Sequence, residues 1–345
     1  MVVKKLLING FRNLNKFTIE FGAAKNLIHG ANGSGKTSIL EALYLLGFGK
    51  SFLKVGKGEM VNFGSSGFYI HADILNKTGE NSLSASLTEK FKLQVNNEKG
   101  SLLEIGKYLY PLFFSSLNYS FYIDHNPYFR KMIDRFIFGL HSLYLHQILR
   151  YNHMVKQKNS LLKKLGKPIN YSELDSWNKL LSATGFEIVN KRMNFITHLN
   201  NEIWDSFTPD LEIEYQPALI AHREISESSI FNDLCQIKNS EIQCRRSLLG
   251  PHRDRFAITA SGKKLQLFSS GEKKKYLLMV YLAFINMFHR DQNDHPVFLI
   301  DDYDAAMDEK NLNFVIDHFP MMQIIATAVT RNDKFENLFE LGKEN

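Results

Sequence analysis

The rhythm of apolar positions changes character twice along the chain. Residues 16–21 alternate polar and apolar in the two-residue period of a strand, and 25–29 form a second short strand. Ile39, Ala42, Leu43 and Leu46 then recur at helical spacing and give one buried face. Segments 68–75, 82–87 and 91–95 return to alternation with polar turns between them, which predicts an antiparallel meander. Over 129–165 and 171–203 the period lengthens to that of helices, interrupted by the Gly166–Pro168 breaker. Beyond, 211–216 alternates again, and 255–260 with 263–268 predicts a hairpin across Ser261 and Gly262. A long apolar helix covers about 272–288, and 297–300 and 323–329 suit buried strands. The order predicts an α/β fold with a mixed sheet and an antiparallel N-terminal part. Residues 1–125 and 211–345 would form its two halves, with a helical lobe inserted over 126–210.

Composition narrows this only slightly. At 345 residues, 44% hydrophobic and 23% charged, the chain is long enough for two domains and ordinary for a globular protein. Charge is informative through its placement. Residues 127–200 hold 12 Lys and Arg against 4 Asp and Glu, so the middle is basic while the rest is slightly acidic, which suits a polyanion or a solvated helical face about equally. The apolar start at Met1–Ile8 is cut off by Asn9, Gly10 and Arg12, and the run 276–288 is too short to span a bilayer. No leader or membrane role is expected, and a cytoplasmic location follows. Cys235 and Cys244 lack metal-ligand spacing and read as reduced thiols.

The strongest chemical signal is Gly30-Ala31-Asn32-Gly33-Ser34-Gly35-Lys36-Thr37, a G-x-x-x-x-G-K-[ST] phosphate loop between a short strand and an amphipathic helix. Gly33 and Gly35 let the backbone curl so that successive N–H groups face phosphate oxygens, and the helix start adds its positive dipole end. Lys36 brings a charge to the outer phosphates, the Thr37 hydroxyl suits Mg²⁺, and Ser38 joins the loop's nucleotide contacts. ATP with Mg²⁺ is the expected cofactor.

A second motif is the apolar strand 297–300 ending in Asp301 and Asp302. Open α/β sheets present ligands at such carboxyl ends. Asp301 fits a holder of Mg²⁺ through water, and Asp302 is placed to orient an attacking water. A third is Phe268-Ser269-Ser270-Gly271-Glu272 before Lys273, Lys274 and Lys275, a helix start with its own capping acid. A fourth is Ala305-Ala306-Met307-Asp308.

Taken in order, these elements resemble those of ABC-type ATPases, whose signature loop closes on the γ-phosphate held by a second subunit and whose D-loop aspartate follows the magnesium strand. The long basic stretch between the phosphate loop and the signature resembles the SMC/RecF-type branch, which inserts helices between the halves of its head. Within that branch the chain is similar to the RecF family over nearly its whole length. The residues that carry this are Gly10-Phe-Arg-Asn-Leu14, Leu40-Glu-Ala-Leu-Tyr44, Pro127 with Arg130, Lys131 and Asp134, Trp177, Gly185 to Arg192, Leu248-Leu-Gly-Pro-His-Arg-Asp254, and Asp301-Asp302 with Asp308. The resemblance implies an ATP-induced homodimer that binds gapped DNA or single-strand/double-strand junctions. It further implies help in loading the recombinase, with RecO and RecR as partners. It assigns Lys36, Asp301, Asp302 and Ser269 to catalysis, Gly30 to Ser38 with Ser269 and Gly271 to the nucleotide, and Thr37 and Asp301 to the metal. Asp302 in place of the transporters' Glu implies slow, DNA-dependent hydrolysis, and Thr327 stands nearest their switch histidine.

Lys156, Lys158, Lys163, Lys164 and Lys167, with Arg150, and a second group of Arg130, Lys131 and Arg135, are candidate phosphate contacts that would bind DNA without reading sequence. Alternatives are an SMC-like ATPase coupled to another effector, an ATP-gated scaffold with little turnover, and a transporter ATPase. The last is disfavoured by the long insertion.

Overall fold

The structure is a computed structural model that describes residues 1–115, 119–163, 171–220, 224–306, 314–315 and 318–342. It forms two compact units, one from Met1–Ser120 with Ser269–Asn345 and one from Phe121–Phe268.

In the first unit the alternating N-terminal segments pair antiparallel. Strands β1 (Val2–Phe11), β2 (Leu14–Glu20), β4 (Phe68–Asn76), β5 (Gly79–Leu87), β6 (Phe91–Val95) and β7 (Glu98–Lys99) form a six-stranded sheet in the order β2-β1-β4-β5-β6-β7. The second sheet of this unit is parallel. Strands β3 (Lys25–Gly30), β8 (Pro111–Ser115), β12 (Val297–Asp301), β13 (Ile324–Ala328) and β14 (Asn337–Leu341) lie in the order β14-β3-β13-β12-β8. All residues of β8, β12 and β13 are buried, as a parallel sheet covered on both faces requires. Helix α1 (Lys36–Phe48) packs on strands of both sheets and is buried nearly all round. Short α2 (Leu102–Ile105) follows β7, and α3 (Tyr119–Asp124) carries the chain into the second unit.

The second unit is built on α6 (Tyr171–Ser206), which packs against α4 (Asn126–Leu140), α5 (Tyr144–Leu162), α7 (Glu227–Gln236) and β9 (Leu211–Gln216). After α8 (Lys238–Cys244), β10 (Arg255–Ala260) pairs with β9 and with the two-residue β11 (Lys263–Lys264). The 211–268 segment therefore clusters with the helices, whereas the sequence placed it in the head.

Two further expectations are revised. The helical run over 129–165 breaks at His141–Leu143, where α4 ends and α5 begins. The strand expected over 263–268 stops after Lys264 and turns through a 3-10 segment at Leu265–Leu267.

A polar hub lies at the centre of this unit. Arg192 is 1% exposed and grips both oxygens of Asp134 from Nη2 at 2.9 and 3.0 Å. Its Nη1 donates to Asp254 Oδ2 at 2.6 Å and to the Pro251 carbonyl at 2.8 Å. Asp254 also accepts from the Tyr215 hydroxyl and, at 2.8 Å, from the Ala218 amide. Burial opposes the charge on the Arg192 guanidinium, but Asp134, Tyr144, Asp254 and Tyr215 together hold it well above the ordinary arginine value. The Gly-Pro-His-Arg-Asp run thus forms one wall of a satisfied buried charge network. The first unit resumes with α9 (Ser270–Gln292), which is followed by β12 and the short α10 (Tyr303–Ala306).

Candidate nucleotide site

Three adjacent strands of the parallel sheet deliver the site at their carboxyl ends. Strand β3 runs into the phosphate loop, its neighbour β13 carries Thr327, and β12, on the far side of β13, ends at Asp301. The loop curls through positive φ at Gly33 (82°) and Gly35 (105°), where a side chain would be strained. Ala31, Asn32 and Gly33 are exposed, whereas Ser34, Gly35 and Lys36 are buried. Lys36 Nζ folds back and donates to the carbonyls of Gly30 and Ala31 at 2.8 and 2.9 Å.

Several features leave the loop fitted for an anion. Helix α1 has no side-chain cap and no acidic residue in its first turn, so its first N–H groups keep their capacity for an outside acceptor. Among the described residues the buried Ser34 hydroxyl has no hydrogen-bond partner. Asn13 holds the loop from outside. Its Nδ2 donates to the Gly33 carbonyl at 3.0 Å, and its Oδ1 accepts from the Ser38 hydroxyl at 2.9 Å.

Asp301 is 5% exposed and gathers two hydroxyls on one oxygen. Thr37 Oγ1 donates to Oδ1 at 3.0 Å and Thr327 Oγ1 at 2.8 Å. Burial pushes the Asp301 carboxyl above its usual value and the Asp302 charge adds to this, while Thr327, Thr37 and Lys36 pull it back. A hydroxyl beside one carboxylate suits Mg²⁺, which keeps waters and takes further ligands from phosphates. Among the described residues no cluster of three or more His, Cys, Asp or Glu could hold a metal by itself. Asp302 sits at φ 48°, and its amide donates to Thr327 Oγ1 at 2.9 Å.

The signature residues Ser269 to Glu272 are exposed at the start of α9. Ser269 and Glu272 form the expected capping box, with Ser269 Oγ donating to Glu272 Oε2 at 2.6 Å. That bond and the Ser269 amide hold the Glu272 carboxyl below its usual value. Gly271 has no atom within 4 Å of where a Cβ would stand. Among the described residues no hydrogen bond joins Ser269–Glu272 to the phosphate loop. Lys274, one turn on, donates to the Ala305 carbonyl at 2.6 Å and so ties this helix to the segment after β12.

Sequence reasoning left two features without a role. Arg12, at φ 54° after β1, closes on Glu41 of α1 through Nε and Nη2, both at 2.7 Å, rather than pointing free toward the loop. Asn13 was visible only as one letter of the family pattern, since its partners are brought to it by folding. Met307, Asp308, Lys164, Lys167 and the Gly166–Pro168 breaker lie outside the described residues.

The basic candidates separate. Arg150, Lys156, Lys163 and Lys131 are exposed. Lys158 is not a surface charge. It is 0% exposed and pairs with Glu241, also 0% exposed, at 2.6 Å. Burial lowers its pKa, and Glu241 opposes that. Arg130 is half-buried and donates to the Asp254 carbonyl at 2.7 Å. Among the described residues no helix is long and apolar enough to cross a membrane.

Residues 2–338 match the model of the RecF/RecN/SMC N-terminal domain. A DNA replication and repair protein RecF of Acetivibrio thermocellus is 28% identical over 98% of this chain and 95% of its own. One from Thermoanaerobacter sp. is 27% identical over 96% and 95%. A solved structure of the recombination mediator protein RecF with ATP superposes with a TM-score of 0.91 at 25% identity, covering 100% of this chain and 96% of the other. An Smc head bound to the C-winged helix domain of ScpA, 16% identical with a TM-score of 0.54, covers 96% of this chain and 90% of the other and shares the fold. The chain belongs to the RecF/RecN/SMC N-terminal-domain family of ABC-type ATPase heads, and its near full-length relatives there are RecF proteins.

Proposed function

We propose that this chain is an ATP-dependent DNA-binding protein of recombinational repair and replication. The observation that carries the reading is the meeting of Thr37 and Thr327 on Asp301 beside a phosphate loop whose lysine is already folded inward. Gly30 to Ser38 would hold the triphosphate through backbone N–H groups, with Lys36 exchanging its carbonyl partners for phosphate oxygens. Thr37 and Asp301 would hold Mg²⁺, directly and through water. When bound, ATP with Mg²⁺ supplies a γ-phosphoryl group whose oxygens the metal polarises. Asp302 orients the water that attacks it, and Thr327 fixes the backbone at Asp302 in place of a basic side chain, which fits slow turnover.

The exposed, self-capped Ser269 and Gly271 support the reading that they complete the site of a second subunit. ATP would then hold a dimer together on DNA, and hydrolysis would release it. Arg150, Lys156, Lys163 and Lys131 are the surface charges available for DNA phosphates. Gapped duplex or single-strand/double-strand junctions are the proposed substrate, and RecO and RecR, to which the RecFOR pathway of the solved relatives points, the proposed partners in loading the recombinase. The test is ATP hydrolysis with and without gapped DNA, alongside sedimentation with and without ATP. Stimulation by DNA together with ATP-dependent dimerisation is expected. ATP binding with neither effect would favour a scaffold.

A further inference from the structure

The Gly250–Asp254 run turns mostly into the buried hub, while Arg253 and the following Arg255 face solvent. Pro251 and Asp254 are buried, whereas Arg253 and Arg255 are exposed. The acid between these two arginines is therefore committed to Arg192, Tyr215 and Ala218 in the interior. With Arg246, the two arginines line a cavity of about 370 Å³ together with Gln216, Ala218 and Leu248 among others, and none of its described lining residues is acidic. Among the described residues none of the three is within ion-pair distance of a carboxylate.

The wall is fixed before any ligand arrives. Arg253 Nη2 donates to the Ser247 carbonyl at 3.2 Å, the Gly250 amide to the Ala218 carbonyl at 2.9 Å, and the Ala218 amide to Asp254. Three arginines lining one hollow concentrate positive charge that an anion shared between them would neutralise. Their planar forks match the oxygens of phosphate better than a point charge would.

We infer that this cavity is a phosphate-binding site of the second unit and that its occupant is the backbone of a nucleic acid. The inference rests on the DNA-binding reading and adds residues that reading does not include. A continuous polyanion, rather than a single acidic side chain, fits a unit whose 127–200 segment carries 12 basic against 4 acidic residues.

The test is binding of labelled gapped duplex to the full-length protein with ATP over a salt series. Arg246 and Arg255 are exposed and make no side-chain hydrogen bond among the described residues, so Arg246→Gln/Arg255→Gln should fold. A circular dichroism melt matching that of wild type checks this. The slope of log affinity against log salt should become shallower by about 1.8 in that variant, about 0.9 for each phosphate no longer neutralised. Arg246→Lys/Arg255→Lys should keep the slope while binding more weakly. The single Arg246→Gln change gives the same reading, at half the size, if the double variant melts early. A slope and affinity equal to wild type would overturn the site. So would protection of wild type, but not of the variant, by inorganic phosphate with DNA binding unchanged, because the pocket would then serve a free phosphate. Failure of wild type to bind DNA at all would overturn the broader reading together with this one.

Discussion

Thr327 Oγ1 joins the two acids of the site. It donates to Asp301 Oδ1 at 2.8 Å and accepts from the Asp302 amide at 2.9 Å. Thr327→Val keeps the shape and removes both bonds. It leaves a buried carboxylate short of a donor and an amide without an acceptor, a loss of about 1–3 kcal/mol of stability. Because the phosphate loop is untouched, ATP turnover should fall far more than ATP affinity. Thermal melts with steady-state turnover and equilibrium nucleotide binding check this. A variant that lost affinity and kept its turnover would remove Thr327 from the chemistry.

Asp301 makes stability depend on pH. Its carboxyl is raised above the usual value, first by burial. A carboxyl raised in the folded state takes up a proton on folding. Its contribution is most favourable below the unfolded value of about 3.9 and is lost as pH rises through the raised folded value. Asparagine keeps an acceptor for both threonines without the charge. Nucleotide-free Asp301→Asn should therefore melt at or above the wild-type temperature at neutral pH, with the gap widening as pH climbs from about 4. The stabilisation of wild type by Mg²⁺ and ATP should be absent. Melts across a pH series with and without Mg²⁺-ATP measure both effects, and an asparagine variant that melts lower at neutral pH would contradict this account.

Two glycines of the loop separate strain from collision. An alanine at Gly33 would sit at φ 82° with no atom within 4 Å of its Cβ, so only backbone strain of about 1–2 kcal/mol is added. An alanine at Gly30 would sit at φ 150° with its Cβ colliding with the Leu341 carbonyl oxygen, at the point where β3 pairs with β14. Gly30→Ala should be the more destabilising in denaturant titration. Gly33→Ala should lose nucleotide affinity out of proportion to its small loss of stability, since its methyl enters the space where phosphate would lie. Equal midpoints for the two variants would count against the close approach of β14 to this glycine.

The site was legible where its chemistry is local in sequence. Gly30 to Thr37 declares a phosphate loop because one turn of backbone makes the whole cradle, and 297–301 declares a carboxylate at a strand end. The capping box of Ser269 and Glu272 was legible for the same reason. Strand β8 was missed because its five buried residues show no alternation and, unlike β12 with its Asp301–Asp302 end, no motif marks them. Arg12 with Glu41 and Asn13 with Gly33 were invisible because folding brings partners together that local spacing does not announce. The hub around Arg192 joins residues from α4, α6, the Pro251 turn and β9, so its letters could be recognised as a family pattern but not assigned a role.

Lys158 shows how a charge can mislead. In the sequence it sits among lysines that face solvent, but its Nζ lies 2.6 Å from Glu241 in a fully buried pair. Lys158→Met leaves Glu241 without its counter-charge in the core and should cost about 3–5 kcal/mol. Lys158→Met/Glu241→Gln should recover most of that, because Gln keeps an acceptor for the Ser247 hydroxyl and the Leu248 amide that now bind Glu241. Neither variant should alter the salt slope of DNA binding, whereas Lys156→Gln and Lys163→Gln should make it shallower without changing the melt. A shallower slope in a well-folded Lys158 variant would return this lysine to the DNA surface.

Asp302 occupies the left-handed region at φ 48°, with its amide tied to Thr327. Asparagine is among the few residues that accept this conformation, so Asp302→Asn should fold and melt as wild type does. The change removes the charge proposed to orient the attacking water and leaves Lys36, Thr37 and Asp301 in place. Nucleotide should still bind, hydrolysis should fall by about a hundredfold or more as for loss of a positioned base, and an ATP-dependent dimer should persist in sedimentation where wild type returns to monomer. Asp302→Ala cannot settle the point, because alanine in the left-handed region adds strain of its own. If Asp302→Asn hydrolysed ATP at the wild-type rate, the water would have to be oriented by another group. The backbone conformation at 302 would then reflect only the sharp exit of β12 into α10.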